Sequence, residues 1–394
     1  MRTGRTSPRA AALRRGLSRR LTVPFLKLLA EDKTSPFVVP LFSIVLSLTT
    51  ASLLLAALGK NPLVAFAAFL RGSGFMPRPS YAGGQNLFTD FLSFLGILAP
   101  MLLGALGVIV AMKAGMFNIG AAGQMLAAGF IATVFVGYTD LPSFIARPLV
   151  ILTGAAAGFL MGAVVGYLKY KFNIHEVVST IMFNYIVSYV TGFYINTYYV
   201  DIHTRNSIVC SAASRLTITG ITLGRLRLTL PLGMLIAAAA VLIVRFLLDR
   251  TTFGFELKAV GLNRHAAQYA GIREGRCMVL GMALSGLFAG LAGVTYYLGY
   301  FNTIVPKSLA SLGYDAIAVS LLANSGPVGS VFASVLVTIF QKGSVYMSSI
   351  AGVPKEIALV ITGILLLFAA CGAYARCLAQ GELEKRKSYG HDSD

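Results

Sequence analysis

The chain has 394 residues, 56% of them hydrophobic and 12% charged, with a mean hydropathy of +0.75. Soluble domains carry about a quarter of their residues as charges, and a soluble chain of this length would hold two or three domains. Small size therefore does not explain the missing charge, and a water-soluble fold is excluded. What charge there is leans basic, 33 Lys and Arg against 15 Asp and Glu.

Residues 1–36 form a tail with nine Lys/Arg against Glu31 and Asp32. The apolar stretch after Arg20 is interrupted at Lys27 and Glu31–Lys33, which does not read as a secretory signal. A basic tail can meet nucleic acid. Immediately before a first membrane span, the better reading is a cytoplasmic anchor on anionic lipid, so no nucleic-acid partner is expected.

Apolar runs of about 18 or more residues can cross a ~30 Å hydrocarbon core as helices. Backbone groups in lipid must be satisfied within the segment, which forces helices, and the ten-residue alternation of a barrel is absent. Ten spans are expected, at 37–58, 92–112, 116–137, 148–168, 178–200, 229–248, 277–298, 306–323, 328–348 and 356–374. The fold class is then all-α, a polytopic transmembrane helical bundle. With the tail inside, 21 Lys/Arg fall on the cytoplasmic side and 10 outside, the direction that the positive-inside rule demands. The domains are a basic cytoplasmic tail 1–36, a transmembrane domain 37–374 with a cytoplasmic loop 249–276, and a cytoplasmic C-terminal tail 375–394.

Three places do not read as full-length helices. Gly115–Gly129 packs four glycines with Asn118 and Gln124, Pro306–Ala323 is short and contains Asp315, and Asn324–Pro327 separates two apolar halves. Broken or re-entrant helices of this kind line cavities rather than face lipid. For Gly120 and Gly123 close helix packing is the competing reading. Tryptophan is absent, so an aromatic belt has to come from residues such as Tyr198, Tyr199, Tyr296, Tyr297 and Tyr300.

Catalytic machinery is missing from the pattern. No phosphate loop, HExxH, GxSxG or kinase set occurs. The four cysteines, Cys210, Cys277, Cys371 and Cys377, have neither CxxC spacing nor a nearby histidine, so no metal and no cofactor are expected. His175–Glu176 reads as a solvated helix start. Asp315 has two readings: an intramembrane acid of functional weight, or a helix-start carboxylate capping free N–H groups. Lys342 either snorkels or places a charge in a cavity.

Thr251–Ile272 is too polar to span, yet carries a patterned apolar set at Leu257, Val260, Ala266, Ala267, Tyr269 and Ala270. Asn263 is placed to cap a short helix over His265–Ala270 and Gly271 to end it. Such a helix, presented to the cytoplasm, fits a groove on a soluble partner. A helix lying flat on lipid is the alternative.

Four blocks carry a resemblance. Gly115–Gln124 is similar to a GxFNIGxEGQ signature, and His175–Asn184 (HEVVSTIMFN) to a second block. Lys258–Ile272 (KAVGLNRHAAQYAGI) resembles a segment that presses on an ATPase, and Gly313–Gly329 resembles a GxxGIAVALLGxxxPxG block. In this order they resemble the permease subunits of ABC importers of the branched-chain amino acid and simple-sugar group, in the branch serving nucleoside and basic-membrane-protein systems, over about residues 95–365. Ala122 departs from the pattern, standing where that branch usually has glutamate. FNIG rather than an IDLS-type string favours the nucleoside-like branch over ribose-type transport.

The resemblance implies one of two permease subunits, in a heterodimer, of an ATP-driven importer in the bacterial cytoplasmic (inner) membrane. It implies a cytoplasmic ABC ATPase that hydrolyses the ATP and an extracytoplasmic substrate-binding lipoprotein that delivers a small solute, foremost a nucleoside. The likeness of spans two to five and seven to ten in length and order fits an internal inverted repeat. Riboflavin or a simple sugar on the same machinery are alternatives, as is an ion-coupled secondary transporter. Asn118, Gln124, Ser179, Asn184 and Asp315 are the candidate residues of the pathway or its gates. Lys258, Gly261, Asn263, Ala266, Ala267 and Gly271 are those of ATPase coupling.

Overall fold

The computed structural model of the chain describes residues 35–81, 85–223, 226–370, 378 and 380–381. The basic tail up to residue 34, most of the C-terminal tail, Cys371 and Cys377 lie outside them. The chain divides into two compact units, 55–362 and a second made of 1–54 with 363–394. The second unit holds most of helix α1 (Ser35–Ala57) and the end of α13 (Lys355–Ala370).

In the larger unit, α2 (Pro62–Gly72) opens on an Asn61 cap with proline at its first position, the place where a missing N–H costs least. This helix lies in what the sequence reads as an outer loop. Next comes α3 (Leu87–Lys113), which starts five residues before the expected boundary because Asn86 and Thr89 form a reciprocal capping box. α4 (Ala121–Ala132) is extended by a π turn, Thr133–Gly137. α5 (Ser143–Phe172) and α6 (Glu176–Tyr198) follow.

Between α6 and α7 (Gly233–Arg250) the chain makes an antiparallel hairpin of β1 (Thr217–Leu223) and β2 (Leu226–Pro231), pairing Ile218 with Leu230 and Leu223 with Leu226. The fold is therefore mostly helical rather than strictly all-α. The expected span from Thr229 starts instead at Gly233, because Thr229–Pro231 complete the hairpin. Two short helices, α8 (Thr252–Leu262) and α9 (Arg264–Tyr269), lead into α10 (Glu274–Thr295) and its π turn Tyr296–Phe301. α11 (Ser311–Leu322) and α12 (Pro327–Ala351) are separated by a break in which Asn324 and Ser325 take left-handed φ of 50° and 53°.

Five of these helices are long and apolar enough to cross a membrane: α3, α5, α6, α10 with its π turn, and α12. A sixth results if α1 and α2 form one broken span. The ten expected segments are thus not all full spans by this measure. α7 carries Arg245, Asp249 and Arg250 within 18 residues. α11 has 12 residues, which at ~1.5 Å each cover about 18 Å, roughly half a bilayer core. Burial sorts the long helices. The apolar windows of α3 and α10 are 83% and 78% buried, against 39–44% for α5, α6 and α12, so α3 and α10 are the centre and the others present a face outward.

What lets α5 approach α10 is glycine. Gly154, Gly158, Gly162 and Gly166 recur every fourth residue on α5; the first three meet Gly286 and Gly290, and Gly166 meets the backbone of Met278 and Val279. A Cβ at Gly158 would lie 2.8 Å from the Gly290 Cα, and one at Gly286 would lie 3.0 Å from the Gly162 Cα. Backbone therefore packs on backbone, as in small-xxx-small membrane pairs. α3 and α10 are antiparallel at the centre: Gly104 faces Ala292, and Gly96 faces the Tyr300 ring.

Candidate functional site

Where α3 ends and α10 begins, the α3–α4 break forms a closed polar knot. Gly115 takes the left-handed φ of +71°, and the segment after it carries Asn118, which is fully buried. The Asn118 amide donates to Gln124 Oε1 at 2.9 Å and to Ser285 Oγ of α10 at 2.8 Å, while its carbonyl oxygen accepts from the Gly120 N–H at 2.9 Å. Asn184 of α6 does the complementary work on the other side. Its oxygen accepts from the Gly123 N–H at 2.9 Å, and its amide donates to the Ile119 carbonyl at 3.1 Å. These bonds answer the first orphan N–H groups of α4, which has no side-chain cap of its own.

The glycines here serve packing. A Cβ at Gly120 would stand 3.0 Å from the Thr180 Cβ, and one at Gly123 would stand 2.9 Å from the Asn184 Cα. Ser179 is buried one turn before Asn184 and donates to the His175 carbonyl at 3.4 Å. Ala122, fully buried, lies against Gly313, where a Cβ would be 2.7 Å from the Ala122 Cβ. Position 122 is therefore a helix contact in this chain, which accounts physically for an alanine there.

At the opposite end, where α10 ends and α3 begins, a cavity of about 510 Å³ opens, with Arg78, Tyr296, Tyr300, Gln341, Lys342 and Tyr346 in its wall. Asp315 stands behind this wall, accepting from Gln341 Nε2 at 2.5 Å. It is no helix cap, because α11 has no side-chain cap bond; the capping reading of Asp315 falls. Lys342 does not snorkel: its ammonium donates to the Asp90 carbonyl at 2.8 Å. The Asp90 carboxylate pairs with Arg78 Nε at 2.8 Å, and the Arg78 guanidinium lies 4.8 Å from the Tyr346 ring centre, a cation–π contact. The tyrosines expected as a belt divide. Tyr198 is exposed, Tyr297 is buried, and Tyr296 and Tyr300 turn into the cavity.

α8 and α9 sit at the knot's end of the bundle. Asn263 caps α9 as the sequence predicts, its oxygen accepting from the Ala266 N–H at 3.0 Å. Gly271 closes α9 with φ +80°, a conformation that glycine alone adopts freely. Arg264 grips Glu274 with two nitrogens, at 2.5 and 3.2 Å, and this bond to Glu274 raises the arginine's already high pKa. Lys258 pairs with Asp249 at 3.1 Å on the surface. Ala266 and Gly271 face outward with Leu262 and Tyr269, which are 89% and 95% exposed. Ala267 is buried in the chain's own body, and Gly261 lies with its backbone on Lys113 and Gly115. The six residues of the loop thus split between an outer and an inner side.

Glu176, read from the sequence as part of a solvated helix start, is buried and paired with Lys169 at 2.9 Å, tying α5 to α6. Its neighbour His175 is exposed and caps α6, accepting from the Val177 N–H at 3.3 Å. Among the described residues no three His, Cys, Asp or Glu side chains cluster as metal ligands would. Cys210 and Cys277 are buried free thiols, and burial pushes the Cys210 thiol pKa up.

The profile of the family described as branched-chain amino acid transport system / permease component matches residues 91–370, a range that holds both the knot and the loop. The chain belongs to this family. It is 35% identical over 361 residues to the guanosine ABC transporter permease protein NupP of Bacillus subtilis, covering 90% of this chain and 98% of NupP. It is 34% identical to the nucleoside ABC transporter permease protein NupB of Lactococcus lactis, covering 86% of this chain and 92% of NupB. The guanosine ABC transporter permease protein NupQ of Bacillus subtilis is 25% identical over 71% of this chain and 89% of its own length. No solved structure matches the chain. As a permease of this family, the chain is a multi-pass membrane protein and a transport component of an ABC system, not an enzyme.

Proposed function

We propose that this permease is one of two different permease subunits of a nucleoside importer in a bacterial cytoplasmic membrane. The observation that carries the reading is the likeness to NupP and NupB along nearly the whole chain; Bacillus subtilis holding both NupP and NupQ favours a partner permease of the same family. An extracytoplasmic lipoprotein delivers the solute. A cytoplasmic ABC ATPase docks on α8–α9, whose exposed Leu262 and Tyr269 are apolar surface of the kind that partners cover.

The cavity is the solute's way in. Tyr296 and Tyr300 offer ring faces on which a nucleobase stacks, and Gln341 with Asp315 behind it offers donors and acceptors for base edges and ribose hydroxyls. Asn118, Gln124, Ser179 and Asn184 belong to the gate beyond it. The permease contributes two packings of different affinity rather than chemistry. The ten-span topology, its internal inverted repeat and its cytoplasmic tails are part of the same proposal. α4 and α11 each follow or precede a break and cross only part of the core, as half-helices of transporters do.

In proteoliposomes holding the whole complex, labelled guanosine should enter only with binding protein present and ATP on the ATPase side. Guanosine uptake by this chain alone under a proton or sodium gradient would establish the secondary carrier instead. For topology, single cysteines at Ile202, which is 88% exposed, and at Gln268 should react from opposite faces of the membrane. Reaction from one face would overturn the arrangement.

A further inference from the structure

The inner side of the α8–α9 loop is built with unusually little between backbones. A Cβ on Gly261 would stand 2.9 Å from the Gly115 nitrogen and 3.0 Å from the Lys113 carbonyl carbon. Seen from the other side, a Cβ on Gly115 would stand 2.9 Å from the Gly261 Cα. Nothing but main chain separates the end of α8 from the turn that closes α3.

A second contact lies one turn back on α8. Leu257, fully buried, reaches Gly281 of α10, where a Cβ would meet Leu257 Cδ1 at 2.9 Å and the Ala114 Cβ at 2.8 Å. α8 therefore rests on the end of α3 and the first turns of α10 together. One turn further along α10 is Ser285, the hydroxyl that accepts from Asn118. The chain from the exposed loop to the buried knot is thus Gly261 to Gly115, then the five residues to Gly120, and in parallel Leu257 to Gly281 and on to Ser285.

Contacts of this kind transmit displacement because they cannot absorb it. A flexible side chain between two elements takes up an ångström by changing rotamer, whereas backbone on backbone moves as one or separates. The knot is suited to two discrete states for the opposite reason. It is held by five specific hydrogen bonds, four of them between buried groups, which are either made or exchanged for others, with little in between.

We propose that the Gly115–Gly261 contact, seconded by Leu257 in the Gly281 notch, is the joint through which movement of the α8–α9 loop reaches the α3–α4 break and rearranges the Asn118–Gln124–Asn184 knot. Gly261 is then a positioning residue for transport: it touches neither solute nor ATPase, and it acts through Gly115. The inference rests on the reading that an ATPase docks on α8–α9.

The test uses the complete complex in proteoliposomes and reads solute moved per ATP hydrolysed. Gly261→Ala makes α8 a better helix by propensity, and the only place it adds volume is the joint. Because Gly261 is turned away from the exposed face, the ATPase still copurifies. The ratio of guanosine taken up to ATP hydrolysed falls at least tenfold. Leu257→Ala, which removes the plug without adding bulk, lowers the same ratio in the same direction and serves where Gly261→Ala inserts poorly. Unchanged ratios in whichever variants insert would make the joint passive packing and overturn the inference. A wild-type complex that hydrolyses ATP and moves no solute would instead sink the importer reading, which keeps the two failures apart.

Discussion

The two polar clusters of this permease lie at opposite ends of the same central pair of helices and are built on opposite plans. The knot is all amides and hydroxyls, and its Asn118 and Asn184 side chains spend their donors and acceptors on backbone or on the Gln124 and Ser285 side chains. The cavity at the other end gathers charge around open space: Asp315 with Gln341, and Lys342 with the Asp90–Arg78 pair. An amide knot that satisfies itself allows only discrete arrangements of the helices, because a partial slip leaves buried groups unpaired. A wall bearing ionisable groups beside a cavity has capacity left over for a visitor. On the proposed reading, the knot sets which arrangement the helices hold, and the cavity is where a solute is met.

That contrast breaks most visibly at Asn184. Asn184→Leu leaves the buried Gly123 N–H and the half-buried Ile119 carbonyl without their partner, and an orphaned buried group costs about 1–3 kcal/mol. The expected outcome is a large fall in thermal stability in detergent, with loss of the monodisperse protein before any question of transport arises. A Tm equal to wild type would place the knot in water rather than in the core.

Asp315→Asn goes the other way. It keeps the shape and the contact with Gln341 while removing the charge, so stability in the same melt should stay near wild type. Uptake should drop at least tenfold, about 1.4 kcal/mol of transition-state stabilisation. Full uptake would strip the cavity cluster of its proposed role. The smallest effect is expected at Lys342→Met, which keeps the stem's packing and loses the ammonium's bond to the Asp90 carbonyl. A two- to fivefold loss of uptake, about 0.4–1 kcal/mol, with an unchanged melt, fits a residue that shapes the wall. A loss as deep as that of Asp315→Asn would make Lys342 a solute ligand in its own right.

Some local signals are legible in the sequence at their true positions, though Glu176, which belongs to a solvated helix start by its neighbours, is buried and paired. Asn263 and Gly271 bracket α9 because capping and left-handed termination depend on single residues at fixed offsets. The breaks at Gly115–Gly120 and Asn324–Ser325 were legible for the same reason. The hairpin at Thr217–Pro231 was not: Leu226, Leu228 and Leu230 alternate with Arg227 and Thr229 at a strand's period, but Thr229–Pro231 merge with the apolar run into α7 and hide where one period gives way to another. Nor was α2, whose eleven residues fall below the length of a span.

At the sites, the reach of the sequence ended with the pairings. Asn118 stood out as a polar residue in an apolar run, but its partner Ser285 lies 167 residues away and looks like any helical serine. Tyr296 and Tyr300 looked like a belt. They sit in a π turn, whose wider winding removes the 3.6-residue rule that would say which ring faces where. Asp315 is conspicuous in an apolar helix and Gln341 is not, since an uncharged amide within a helix raises no alarm until its neighbour across the bundle is known.

The glycine seam between α5 and α10 has a consequence for how the protein is made. α5 leaves the ribosome complete at Phe172, and the first residue of α10 is Glu274, so the partner of the seam arrives about a hundred residues later. At about 5–20 residues per second the bare glycine face of α5 waits for roughly 5–20 seconds in lipid or against the insertion machinery, with no side chains to fill it. Closure of the seam therefore belongs to the second half of synthesis, and it is then that the flanking helices are drawn together. A ribosome stalled anywhere between α5 and α10 leaves a membrane-inserted half-protein with an open groove along its length, the form of this chain that quality-control proteases would meet.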